Sequence, residues 1–155
     1  MDRDSLLSEF TSATEMPDEE LDVARIALLI ASVEYPNLNI DDELCVLDSL
    51  AAGASRWLTQ DVEALQAVNV LSRWLFDDLG FSGNQEDYYD PKNSYLNDLL
   101  DRRLGIPLSL SLVYIEVGRR AGVPLVGIGM PGHFLVRHRD EEGLYVDPFH
   151  KGILL

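Results

Sequence analysis

Apolar positions recur at helical spacing through most of the chain and change to strand-like alternation only near its end. Leu21, Ala24, Leu28 and Ala31 form one stripe, with Ile26, Ile30 and Val33 beside it, which predicts a helix ending before Pro36. Pro17-Asp18-Glu19-Glu20 is expected to open that helix, with proline in the first turn and acids at the positive end of the dipole. Residues 1–14 show little periodicity and read as a short helix or a frayed arm. A second helix is expected from about Asp41-Asp42-Glu43 towards Trp57, burying Leu44, Leu47 and Ala51. Thr59 suits the N-cap of a third, with Val62, Leu65, Val68, Leu71, Leu75 and Leu79 inward and Gly80 as its stop. Short links between these helices imply a small antiparallel helical unit.

Phe81 to Lys92 lacks periodicity and is expected to be a loop. Asn93 or Ser94 would cap a fourth helix carrying Leu96, Leu99, Leu100 and Leu104, ended by Gly105. The next helix is apolar almost all round, through Leu108, Leu110, Leu112, Val113, Ile115 and Val117, as a helix covered on several sides would be. Pro107 suits its first position, where the missing N–H costs nothing, and Gly122 with Pro124 ends it. Strands are expected at Leu125 to Met130, His133 to Arg137 and Leu144 to Asp147. Pro131-Gly132 turns the chain after the first of these, and a charged loop joins the last two. The fold class is therefore α+β: an acidic helical region, 1–83, followed by a buried helix and small antiparallel sheet, 84–155. The two regions are expected to pack as one unit.

Composition narrows the classes. With 46% hydrophobic and 25% charged residues, the chain is an ordinary globular sequence rather than a disordered one. No apolar run approaches the ~18 residues of a membrane span, and no signal-like segment opens the chain, so a cytoplasmic protein is expected. The net charge of −15 argues against nucleic acid as a partner. That charge is uneven. Residues 1–91 carry 20 acids and 4 bases, whereas residues 92–155 carry 7 acids and 8 bases. The acidic half reads as a solvated surface, or as a docking face for a basic protein, with Glu19, Glu20, Asp41 and Asp42 as its candidates. Cys45 is the only cysteine, which excludes an internal disulfide; among apolar neighbours it reads as a small core residue.

The order of elements carries the chemical suggestion. A buried helix followed by strands bearing His133 and then Asp147 is the layout of a thiol acyl-transfer site. There, a cysteine at the helix N-terminus is activated by a histidine that an acid orients. Side chains alternate along a strand, so His133 and Asp147 share a face only if an odd number of residues joins the two strands. A five-residue loop, 138–142, would set them directly opposite.

The segments Asn93-Ser-Tyr-Leu-Asn-Asp-Leu-Leu-Asp-Arg-Arg-Leu-Gly-Ile-Pro-Leu-Ser-Leu-Ser-Leu-Val-Tyr114, Gly129-Met-Pro-Gly-His133-Phe-Leu-Val-Arg137 and Val146-Asp147-Pro-Phe-His150 resemble the transglutaminase-like core, specifically its bacterial SirB-type branch. The resemblance covers roughly residues 88–152 and more weakly the helices before them. It implies a papain-like α+β fold, a Gly-x-Cys motif opening the central helix, His133 as base and Asp147 as orienting acid. Here that motif reads Gly105-Ile106-Pro107, so proline stands at the nucleophile position, as is common in that branch.

The expected function is thus a degenerate transglutaminase-like protein acting as a binding or regulatory module through an unknown protein partner, with a homodimer as a candidate assembly. The alternative is a hydrolase or acyltransferase using Ser109 or Ser111 with His133 and Asp147. Serines in the first turns of a buried helix more often bond backbone carbonyls. No cofactor and no metal are called for; His133, Asp147 and His150 have suitable donors without a recognised metal spacing. His138 is expected to be solvated, and Tyr88-Tyr89, Trp57 and Trp74 to line core or groove. The C-terminal Lys151-Gly-Ile-Leu-Leu155 is expected to mark either a longer chain trimmed to its core or a shorter member of the family.

Overall fold

The computed structural model describes residues 1–155. Helix α1 (Arg3–Thr14) is capped by the Asp2 carboxylate, which accepts the Ser5 N–H. Helix α2 (Val23–Glu34) starts later than its sequence suggests. Asp18–Glu20 forms a separate 3₁₀ turn after Pro17, and the Asp22 carboxylate caps α2 by accepting from Arg25 N–H. Helix α3 (Ile40–Ser55) is capped by Asn39, which accepts from Asp42 N–H. Helix α4 (Ala64–Ser72) also begins late; Thr59 caps nothing, and Leu65 is exposed rather than inward. Its C-terminal extension, Arg73–Asp78, widens into a π-helical turn before Gly80, whose φ of 78° ends the run.

The span expected to be a loop contains a short strand, β1 (Ser82–Gly83), paired in parallel with β2 (Leu104–Gly105). Between them, helix α5 (Leu96–Arg102) ends on Arg103 in the left-handed region, two residues before the predicted glycine, Gly105. Helix α6 (Pro107–Arg120) has proline at its first position, as its sequence predicts. Strands β3 (Leu125–Met130), β4 (His133–His138), β5 (Tyr145–Asp147) and β6 (Ile153–Leu154) form an antiparallel sheet in that order. The architecture is α+β, and the last strand was absent from the sequence-based expectation.

One buried cluster of 25 apolar residues runs from Leu6 to Val146 and so crosses residue 83. Helix α6 lies through it with Leu110, Val113, Tyr114 and Val117 buried, while Leu108 at its N-terminal end stands 58% exposed. Polar groups fix the C-terminal half of α6. The buried Glu116 carboxylate accepts the Ala24 N–H at 3.0 Å and thereby holds the first turn of α2; Arg119 donates to its other oxygen at 2.9 Å. That bond raises the pKa of Arg119. Arg120 reaches Asp48 of α3 at 2.9 Å. Tyr114 donates to the Val68 carbonyl at 3.0 Å and pairs with the Ser72 hydroxyl at 2.9 Å; burial pushes its pKa upward. On the outer side, Tyr35 donates to Asp98 at 2.6 Å, which with burial pushes the phenol up to about 12.

Four side chains lie elsewhere than expected, or only partly as expected. Cys45 is exposed on α3 rather than buried. His138 closes β4 as a buried residue and accepts the Asp140 N–H on Nδ1, so it belongs to the turn rather than to solvent. Trp57 and Tyr89 are largely exposed, groove or surface rather than core.

Candidate functional site

The start of α6 is built on close backbone approach. A Cβ at Gly105 would lie 2.6 Å from a Leu99 methyl and 2.8 Å from the Ser109 hydroxyl; one at Gly83 would lie 2.5 Å from the Phe149 ring. Gly83 pairs with Gly105, so Phe149 and the start of α6 are held on either side of one short ladder. Pro107 supplies no nucleophilic atom and no N–H at this helix end.

Both serines are engaged with backbone. Ser109 is buried; its hydroxyl donates to the Asn93 carbonyl at 2.6 Å and accepts the Ile106 N–H at 3.1 Å. Ser111 is fully buried and donates to the Phe134 carbonyl at 3.3 Å. Asn93, read as a helix cap, instead lies wholly inside the protein. Its amide nitrogen donates to the Asp87 and Tyr88 carbonyls, and its oxygen accepts from Asn84 at 2.9 Å. Asn84, Asn93 and Ser109 thus tie the 84–93 segment to the first turn of α6. Burying three such groups is tolerable because each has partners.

Arg137 pairs with Tyr145, leaving seven intervening residues, 138–144. The number is odd. Extending the register puts Asp147 across from Leu135, diagonal to His133 on the same face. His133 is exposed, and no hydrogen bond reaches its ring. Asp147 is buried and held firmly. One carboxylate oxygen accepts the N–H groups of Phe149 and His150 at 3.1 and 3.3 Å, and the other meets His150 Nδ1 at 2.8 Å. The imidazole that the structure places on Asp147 is therefore His150. Its signal was present in Asp147-Pro-Phe-His150: an acid preceding proline caps a short turn and meets the residue three positions on.

With Nδ1 facing the carboxylate, a neutral His150 ring donates there and leaves the Nε2 lone pair available as an acceptor. The ring is about half exposed. Phe149 meets it edge-on at 5.1 Å, Tyr88 packs on Phe149 at 5.8 Å and Tyr89 on Tyr88 at 5.2 Å, an aromatic strip beside the dyad. The arrangement can accept a proton or a hydrogen bond and can pack flat apolar groups. No cluster of three or more His, Cys, Asp or Glu side chains is arranged to hold a metal ion. The largest cavity, about 650 Å³, lies far from this chemistry, between α1 and α2, and is mostly apolar. No helix is long and apolar enough to cross a membrane.

Comparisons with known proteins agree with this architecture. Residues 43–155 match the family model described as "Transglutaminase-like superfamily". A "UPF0162 protein" of Xylella fastidiosa (strain 9a5c) is 43% identical over 152 residues, covering 95% of this chain and 53% of the relative. "F-box only protein 21" of Mus musculus is 39% identical over 110 residues, 65% of this chain and 18% of that protein. A "UPF0162 protein" of Vibrio cholerae is 29% identical over 142 residues, covering 88% of this chain and 53% of the relative. The chain spans about half the length of the bacterial relatives of Xylella and Vibrio. No solved structure matches. With the family model covering the buried helix and the whole sheet, the chain belongs to the transglutaminase-like superfamily.

Proposed function

We propose that this chain is a transglutaminase-like scaffold without the acyl-transfer reaction, serving as a protein-binding or regulatory module. The observation that carries this reading is Pro107 at the first position of α6, where the family's chemistry needs a thiol. Three further features support it. The Ser109 and Ser111 hydroxyls both donate to backbone carbonyls, Asp147 is engaged by His150, and His133 lies in solvent. Matching segments of 152 and 110 residues also make up 53% of one relative and 18% of another, as a portable module would.

The binding reading has two candidate faces, the aromatic strip beside the Asp147–His150 pair and the acidic helices of residues 1–83. Charge reversal at Glu19, Glu20, Asp41 and Asp42 separates them once a partner is captured. Loss of binding assigns the acidic face, and intact binding assigns the aromatic strip. Amine incorporation, deamidation or peptide hydrolysis by the purified protein, abolished in His133→Ala, would end the proposal.

A further inference from the structure

The end of α3 and the π-helical turn after α4 enclose a second cavity, of about 270 Å³, lined by Trp57, Val70, Arg73, Trp74 and Asp78. The wide turn is its cause. A bond from Leu79 N–H to the Trp74 carbonyl spans five residues, a geometry that brings Arg73, Trp74 and Asp78 to one side. Trp74 forms a fixed wall: its indole N–H donates to the Leu50 carbonyl at 2.9 Å, and it lies flat on α3 because Gly53 has no Cβ to collide with it. Trp57 is 65% exposed at the mouth and does not stack on Trp74. The Arg73 guanidinium, the Asp78 carboxylate and the Trp57 indole N–H have no partner within the protein, although all three residues line this one cavity.

We propose that this cavity is a binding site for a small flat heteroaromatic molecule of the purine class. The exposed Trp57 indole supplies a stacking face, which favours any planar π-system, and Trp74, held against Gly53 with the Arg56 guanidinium 5.7 Å from its ring centre, supplies the rigid wall behind it. The edge is what selects. A carboxylate accepts from an exocyclic amine while a guanidinium donates to a ring nitrogen, the donor–acceptor pair that adenine presents side by side. A free base or nucleoside fits better than a polynucleotide, since the chain's net charge of −15 opposes a phosphate backbone. The site shares no residue with the Asp147–His150 pair or the start of α6 and does not depend on the function proposed there.

Trp57 and Trp74 are the only tryptophans of this chain, so it reports on its own cavity. Adenosine is expected to change tryptophan emission saturably, with a dissociation constant at or below about 1 mM. Trp57→Ala, an exposed position that leaves Trp74 as reporter, should weaken binding about five-fold or more. Asp78→Asn should weaken it several-fold while leaving the thermal midpoint unchanged. The absence of a saturable change in emission and in the indole N–H resonances overturns the proposal. So does N-acetyltryptophanamide binding as tightly as adenosine, or Asp78→Asn binding like the parent, because the polar edge would then not be read.

Discussion

The two ends of α6 are put together differently. Its C-terminal half is tied by side chains to three other helices. Glu116 holds the start of α2, Arg120 holds α3, and Tyr114 bonds the Val68 carbonyl of α4. Its N-terminal end is bound mostly through backbone and small residues, with Gly105, Pro107 and Ser109 in place of a reactive group. A working acyl-transfer helix would concentrate its polar partners at the N-terminus, where the thiol and its base must meet. Here the most demanding polar structure lies at the other end. The helix is organised as a frame.

The largest test of that contrast is Glu116→Ala. It strands the Ala24 N–H and leaves Arg120 with Asp48 as its one carboxylate partner, so stability to chemical denaturant should fall by about 2–3 kcal/mol. A loss below 1 kcal/mol would mean that the C-terminal end is not the frame described. Next in size is Ser109→Ala. Removing the hydroxyl leaves the Asn93 carbonyl and Ile106 N–H without that partner, for an expected loss of about 1–2 kcal/mol by the same denaturation experiment. Were the cost to exceed that of Glu116→Ala, the order of the two ends would be reversed.

The smallest effect belongs to the acidic side. Glu43 is partly buried and faces Asp101, Asp42 and Asp98; burial first, then these charges, raise its pKa above 4.5. A carboxyl whose folded pKa is raised holds its proton more tightly when folded. Folding is therefore penalised as pH rises from below 4.5 through the raised value, and the penalty is complete at neutral pH. Glu43→Gln should stabilise by about 0.5 kcal/mol at pH 7 and lose that gain below its ordinary pKa. Thermal melts of both proteins across this range check the sign. Equal midpoints at pH 7 would show that the carboxylates do not strain the fold.

Much of the fold was legible because burial is periodic. The stripe of α2 and the run Leu110, Val113, Val117 announce helices, and the short apolar run Phe134-Leu135-Val136 after the Pro131-Gly132 turn announces β4. What stayed hidden was non-local or local in an unusual way. The pairing of Ser82-Gly83 with Leu104-Gly105 joins two dipeptides far apart in sequence, which no period reveals. Asn93 has the composition of a cap, yet its amide is consumed by carbonyls of Asp87 and Tyr88. Glu116 looks like one polar residue on an apolar helix until Ala24 is seen to donate to it. For the candidate site, Pro107 follows from residue identity, whereas the face shared by His133 and Asp147 rests on an odd loop length that the sequence left open and the register Arg137–Tyr145 supplies. The capture of Asp147 by His150 depends on a 3₁₀ turn, Pro148–His150, that one proline only hints at.

The most direct measurement is amine incorporation into a glutamine peptide by the wild-type chain and by Pro107→Cys, with thiol alkylation rates alongside. Wild type is expected to show no turnover above the buffer blank, while Pro107→Cys gains a thiol at the start of α6 that alkylates faster than the exposed Cys45. Turnover by wild type that disappears in His133→Ala would contradict the central claim, because the scaffold would then be carrying out the reaction it is held to have lost.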